Sequence, residues 1–215
     1  MSNGRGLAEE MTDWNARYAA NGFLFGTEPA DFLKRESGRL PDGSRVLCVA
    51  DGEGRNSVYL AGLGHAVTSF DLSEIALEKA RRLAAERDAT VDFNLAGVED
   101  WDWSRRYDAV IGVFIQFADP DLRQRMFDWM AKAVEPGGLL LLHGYAPRQV
   151  EYGTGGPPCA ENMYTMDMLR DAYSGFEILH LDDYDAEIDE GPGHSGRSAL
   201  IDLVARKPIE NPATD

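Results

Sequence analysis

The stretch VLCVADGEGRN, residues 46–56, passes from an apolar half into small, polar and glycine residues, and that change of character decides the fold. Its first half reads as a buried strand, and RNSVYLAGLG (55–64) reads as a short helix with Asn56 near its start and Gly64 placed to stop it. Where a strand gives way to a helix, glycines let a ligand approach the backbone, and the first helical N–H groups favour a negative group. About 20 residues on, Asp71 closes the next apolar run, AVTSFD, at the position from which a carboxylate bonds both hydroxyls of a ribose. Together the two features predict a nucleoside ligand. A dinucleotide reading would need Gly-x-Gly-x-x-Gly, but Gly52 and Gly54 are followed by Ser57.

Outward from this stretch the chain alternates in type. Ser73 can cap a helix with Leu72, Ala76, Ala80 and Leu83 along one face and Glu78, Lys79, Arg82 and Glu86 in water. VDFNLA and YDAVIGVFI read as strands three and four. Asp119 and Pro120 then start a helix with Leu122, Met126, Trp129 and Met130 on one side, and Pro136, Gly137 and Gly138 turn it into LLLLHGY. Near-continuous apolar strands alternating with amphipathic helices require a parallel sheet covered on both faces. YAPRQVEYGTGGPPCAENMY (145–164) is too long for a connector and is expected to be a lid on the substrate side. Thr165 caps a short helix, and FEILHLDDYDAEI and SALIDLVARK read as a final strand pair flanking DEGPGHSG.

With 21 Lys plus Arg against 37 Asp plus Glu, the net charge of −16 repels a phosphate backbone, so nucleic acid is not an expected partner. The first 30 residues hold no unbroken apolar stretch, which predicts neither a secretory leader nor a membrane span and a cytoplasmic protein. Cys48 and Cys159 give no disulfide framework or metal-ligand spacing and are expected to be thiols. No metal is expected, and the acidic run Asp182, Asp183, Asp185, Glu187, Asp189 and Glu190 reads as a solvated strand edge. Trp101, Trp103, Phe127 and Trp129 are expected in the core, whereas Trp14, among polar neighbours, suits a ligand contact. The oligomeric state is left open.

VLCVADGEGRNSVYLA resembles the first motif of class I S-adenosylmethionine-dependent methyltransferases, FDLSEIALEKAR the second, YDAVIGVFIQF the fourth-strand motif and VEPGGLLLL the turn into strand five. WNARYAANGFLFGTEPADFL is similar to the lid segment of the small-molecule branch that contains tellurite-resistance and thiopurine methyltransferases. The resemblance implies an α/β, Rossmann-like, seven-stranded and mostly parallel sheet with helices on both faces and a C-terminal antiparallel hairpin. One domain would span 1–215, with a helical lid at 1–40, a core at 45–206 and the substrate-side loop at 145–164.

It also implies a cofactor site for S-adenosylmethionine. Ala50, Asp51 and Gly52 would hold the methionine amino group, with Gly54 permitting close approach and Asn56 beside them. Asp71 would take the ribose, Leu72, Gly97 and Val98 the adenine, and Val113, Phe114 and Gln116 the methionine side. Trp14, Arg17, Tyr18 and Phe25 would close the lid, Arg17 pairing the cofactor carboxylate. Cys48, Ala50 and Gly97 depart from the family's acid, glycine and aspartate, and Asp51 is expected to restore a carboxylate near the ammonium group. The implied function is methyl transfer to a small-molecule acceptor. The alternatives are a cofactor-binding protein without turnover and another reaction of the cofactor. Substrate-side candidates are His143, Tyr145, Glu161, Tyr164, His194 and Arg197, with His194 and Arg197 in GHSGRS expected over the cofactor. No catalytic residue is assigned, because a sulfonium is already a good leaving group and positioning carries most of the rate.

Overall fold

Alternate side chains of β1 (Arg45–Val49) feed two different cores, which is why the run VLCV carries no polar residue. Val46 and Cys48 pack with Phe32, Leu33 and Leu60, while Leu47 and Val49 share the opposite core with Phe127 and Met130. A strand buried on both faces belongs at the centre of a parallel sheet. The computed structural model describes residues 14–191 and 194–209, and within them β1 is that centre.

The remaining strands are β2 (Ala66–Asp71), β3 (Val91–Leu95), β4 (Tyr107–Val113), β5 (Val134–Tyr145), β6 (Glu177–Asp189) and β7 (Ser195–Arg206). They form a seven-stranded sheet in the order β3-β2-β1-β4-β5-β7-β6. β7 runs antiparallel to both neighbours and the other pairs are parallel. The chain builds outward from β1 to β3, then returns to lay β4 on the other side of β1. That reversal leaves a crevice beyond the carboxyl ends of β1 and β4, the place where open α/β sheets take ligands.

Six α-helices cover the sheet among the described residues, with a further helical piece at 14–18: α1 (Asp31–Glu36), α2 (Arg55–Gly62), α3 (Glu74–Glu86), α4 (Pro120–Ala133), α5 (Gln149–Tyr152) and α6 (Met166–Ala172). The three expected caps are present: Ser73, Asp119 and Thr165 side chains accept from the backbone N–H of Ala76, Leu122 and Met168. Each contributes about 1 kcal/mol. Trp101, Trp103 and Phe127 are buried in the core as expected, and Trp129 packs against it only partly buried.

Two boundaries differ from the sequence reading. Pro136–Gly138 does not precede strand five but lies inside it, where the register slips from Tyr107↔Val134 to Ala109↔Leu139. A Cβ on Gly138 would stand 2.7 Å from the Asp108 carbonyl oxygen, so the bulge closes only around a glycine. β7 starts at Ser195 and so takes Arg197 out of the loop and into the ladder, opposite Glu187. No helix among the described residues is long and apolar enough to cross a membrane.

Candidate active site

A cavity of about 590 Å³ opens over the carboxyl ends of β1 and β4. Its floor is the turn after β1. Ala50, at φ +47°, and Phe114, at φ +55°, end the two strands flanking the crevice in left-handed conformations. For residues with a Cβ such geometry costs about 1–2 kcal/mol and is held by the surrounding packing. The alanine in place of a glycine therefore keeps the turn's shape and carries its strain. Gly52 is required by contact as well as by its φ of +60°, since a Cβ there would lie 2.7 Å from the Tyr18 hydroxyl oxygen.

Two acids shape this turn. Asp71 accepts hydrogen bonds from the backbone N–H groups of Gly52 and Ser73, both at 2.8 Å. A carboxylate has about four acceptor positions, so both oxygens retain capacity for ribose hydroxyls. Burial pushes its carboxyl up to about 6 despite those bonds. Asp51 lines the cavity, and its carboxylate is engaged within the turn. Its oxygens accept from Asn56 Nδ2 and from the backbone N–H of Ser57, both at 3.1 Å, so it caps α2 instead of standing free toward an ammonium group. Gly54 departs from expectation. It is absent from the cavity lining, and its missing Cβ makes room for Ala80 of α3, which a side chain would meet at 2.6 Å.

The other cofactor-side candidates meet on the cavity wall: Trp14, Arg17, Tyr18, Phe25, Ala50, Asn56, Leu72, Gly97, Val98, Val113, Phe114 and Gln116. The described part of the lid is stacked, with Trp14 on Tyr18 at 5.7 Å and the Arg17 guanidinium 4.3 Å above the Trp14 ring. Residues 1–13 of the expected lid lie outside the described residues. What holds the lid down was not read from the sequence. Glu53 accepts from the backbone N–H groups of Leu24 and Phe25, and Lys79 bonds the carbonyls of Ala20 and Gly22. Lys79 and Glu53 pair with each other at 2.8 Å, with side chains only 7% and 2% exposed.

At the far end of the cavity the wall is aromatic. The His194 ring lies 4.4 Å from Phe25 and 4.1 Å from Phe114, with Tyr145 at 5.7 Å. Burial first, then the charge of Arg55, pushes the His194 imidazole down to about 3, so it is neutral at ordinary pH. Its Nδ1 and the Tyr145 hydroxyl are buried without a partner among the described residues. Gln116 fixes Tyr145 by bracketing its backbone: Nε2 donates to the Tyr145 carbonyl at 2.7 Å and Oε1 accepts from its N–H at 2.6 Å. Gly156, Pro157, Pro158 and Asn162 of the 145–164 loop complete the wall, and the loop closes on itself where the Tyr164 N–H donates to the Tyr145 carbonyl.

Four substrate-side candidates do not reach the cavity. His143 is buried against Phe32, and its Nδ1 pairs with Asp202 at 2.5 Å across the β5–β7 ladder. Tyr164 is buried in the core beside Phe127 and Tyr173. Glu161 is exposed, and only its carbonyl is engaged, by Arg123. Arg197 is exposed on β7, where it pairs with Asp185 at 2.9 Å and covers the Tyr152 ring. In the acidic run, Asp182, Glu187 and Asp189 are exposed as expected, but Glu190 is buried on Arg55. No cluster of three metal-binding side chains occurs among the described residues.

Residues 46–138 match the family described as methyltransferase domain. Over that stretch the chain carries a methyltransferase domain. The chain is 32% identical over 155 residues to the glycine/sarcosine N-methyltransferase of Parasynechococcus marenigrum, covering 68% of the chain and 51% of that protein. It is 34% identical over 113 residues to the ubiquinone biosynthesis O-methyltransferase of Xanthomonas axonopodis pv. citri, covering 51% and 47%. The chain thus spans about half the length of the curated relatives it matches. In fold it is similar to a structure from work on the conversion of a disulfide bond into a thioacetal group during echinomycin biosynthesis, with TM-score 0.76, 22% identity and coverage of 95% and 94%. It is likewise similar to TehB from Haemophilus influenzae, with TM-score 0.67, 19% identity and coverage of 92% and 67%.

Proposed function

We propose that the protein transfers a methyl group from S-adenosylmethionine to a small-molecule acceptor held at the aromatic end of the cavity. The observation that carries this reading is one continuous cavity joining the glycine turn and Asp71 to a desolvated, neutral His194. The cofactor's residues fit: Gly52 leaves the floor open, and Asp71 has acceptor capacity left for a ribose. When bound, S-adenosylmethionine supplies an electrophilic methyl group on a sulfonium sulfur. Trp14, Tyr18 and Phe25 exclude water from it, and Arg17 offers a counter-charge to its carboxylate. His194, uncharged, can accept a hydrogen bond from the acceptor's nucleophilic group and orient it toward the methyl group.

The acceptor wall favours an uncharged body. Arg55 is already paired with Glu190, and Arg17 is assigned to the cofactor, so an acceptor carboxylate finds no spare cation among the described lining residues. Two free thiols, Cys48 and Cys159, suit the reducing cytoplasm in which we place the protein.

The test is calorimetry and thermal shift with S-adenosylmethionine, S-adenosylhomocysteine and NAD, followed by a screen of small acceptors with labelled cofactor. Ligand at a hundredfold excess over Kd stabilises by about 2.7 kcal/mol. Stabilisation by both sulfur ligands with label transfer supports the reading. Stabilisation without transfer to any acceptor favours a binding protein, and a response to NAD alone overturns the assignment.

A further inference from the structure

Arg55 stands where a cation is least welcome. It is the first residue of α2, so the helix dipole opposes its charge, and it is 6% exposed. Its partner is Glu190, at 2.7 Å, from the tip of the β6–β7 hairpin, and the two side chains are each 7% exposed. A buried ion pair of this kind adds little net stability, because the desolvation of both charges offsets their attraction. What the pair does instead is join segments. Arg55 also reaches the Glu28 carbonyl at 3.5 Å, and Glu190 accepts from the Asp31 N–H at 3.2 Å at the start of α1. The main chain at the tip is equally fixed, with the Glu190 N–H donating to the His194 carbonyl at 2.8 Å and the His194 N–H to Gly191 at 3.0 Å.

We propose that Arg55 and Glu190 are positioning residues that dock the hairpin tip on the cofactor turn and thereby set the place of His194. The proposal rests on the role given to His194 above. It follows from distance and charge: the pair sits at one end of a tight turn whose other end carries the imidazole. The charged or titratable groups facing that imidazole are Arg55 from α2, Arg17 from the lid, and His143 and Tyr145 from β5, with Glu190 across the turn. Of these, Arg55 is the largest charge influence on it.

Two variants separate positioning from mere structure. Glu190→Gln alone leaves a buried Arg55 without its counter-charge and can unfold the protein, so the informative variant is the double Arg55→Met, Glu190→Met, which removes both charges at similar volume. This protein should fold with a melting temperature close to wild type. The His194 ring resonances, followed by NMR against pH, should depart from the wild-type shifts and titration as the imidazole loses its fixed place. With the acceptor found in the screen, kcat should fall tenfold or more, while calorimetric affinity for S-adenosylhomocysteine stays within about threefold. An unchanged His194 titration with unchanged kcat in the folded double variant overturns the proposal. Failure of wild type to bind S-adenosylhomocysteine would instead overturn the cofactor reading, and the NMR titration still decides whether the pair controls His194.

Discussion

Asp71→Asn separates what the buried carboxylate does for the ligand from what it costs the fold. The rise of its carboxyl from the ordinary range near 4 to about 6 is equivalent to roughly 3 kcal/mol of destabilisation at pH above 7. The folded protein holds this proton more tightly than the unfolded chain. Stability from this group is therefore fully present below about pH 4 and is lost as pH rises through about 6. The amide removes that penalty but turns its N–H₂ toward either the Gly52 or the Ser73 N–H, leaving one buried donor unpaired at a cost of about 1–3 kcal/mol. The two effects nearly cancel, and unfolding at pH 7.5 should move by less than about 2 kcal/mol. The wild-type decline between pH 4 and 7 should flatten. Cofactor binding should suffer far more, because two charge-assisted bonds to a ribose become neutral ones, a loss of about 2–3 kcal/mol or roughly 30- to 150-fold in Kd. Denaturation against pH beside calorimetry with S-adenosylhomocysteine makes the comparison. A folded Asp71→Asn protein with wild-type affinity would refute the assignment of this acid to the ribose.

Three further outcomes follow from the same geometry. Glu53→Gln leaves Lys79 buried against a neutral partner and should cost about 3–5 kcal/mol, with faster limited proteolysis of residues 14–28 as the local signature; equal proteolysis would show that the lid is held by other contacts. Gly52→Ala should displace Tyr18 and weaken calorimetric cofactor affinity at least tenfold while far-ultraviolet circular dichroism stays native. Arg197→Ala should leave methyl transfer within about twofold of wild type, because the guanidinium is spent on Asp185 and Tyr152 away from the cavity; a hundredfold loss would return it to the site.

The succession of strands and helices was legible because it depends on local signals, and the cofactor-side residues because the resemblance carried them over. Apolar runs, Ser73, Asp119 and Thr165 mark where strands and helices begin, and in a parallel sheet the strand ends that follow must converge on one crevice. The two histidines were not separable in this way. His143 and His194 both end or begin strands, and only the β5–β7 register, which sets Asp202 opposite His143, shows that one is already satisfied. Arg197 was misplaced because β7 starts three residues earlier than its apolar pattern, through Ser195, Gly196 and Arg197. Arg55–Glu190 and Lys79–Glu53 escaped notice for a different reason. They are 135 and 26 residues apart, and no periodicity connects them. The one available signal was Glu190 itself, an acid beside glycines at a hairpin tip rather than along its edge.

The rim of the cavity divides into a half that cannot vary and a half that can. At Gly191 the hairpin touches the lid main chain to main chain: any Cβ there would lie 2.4 Å from the Gly26 nitrogen, so every other amino acid would wedge the two apart. Across the opening, a Cβ on Gly156 would meet the Tyr145 ring at 2.9 Å, but the wall then continues through Pro157, Pro158 and Asn162, and Cys159 between them is exposed. Evolution and engineering can therefore rewrite acceptor preference along 157–162 without unseating the cofactor, whereas retargeting through the hairpin tip would demand that two loops change together.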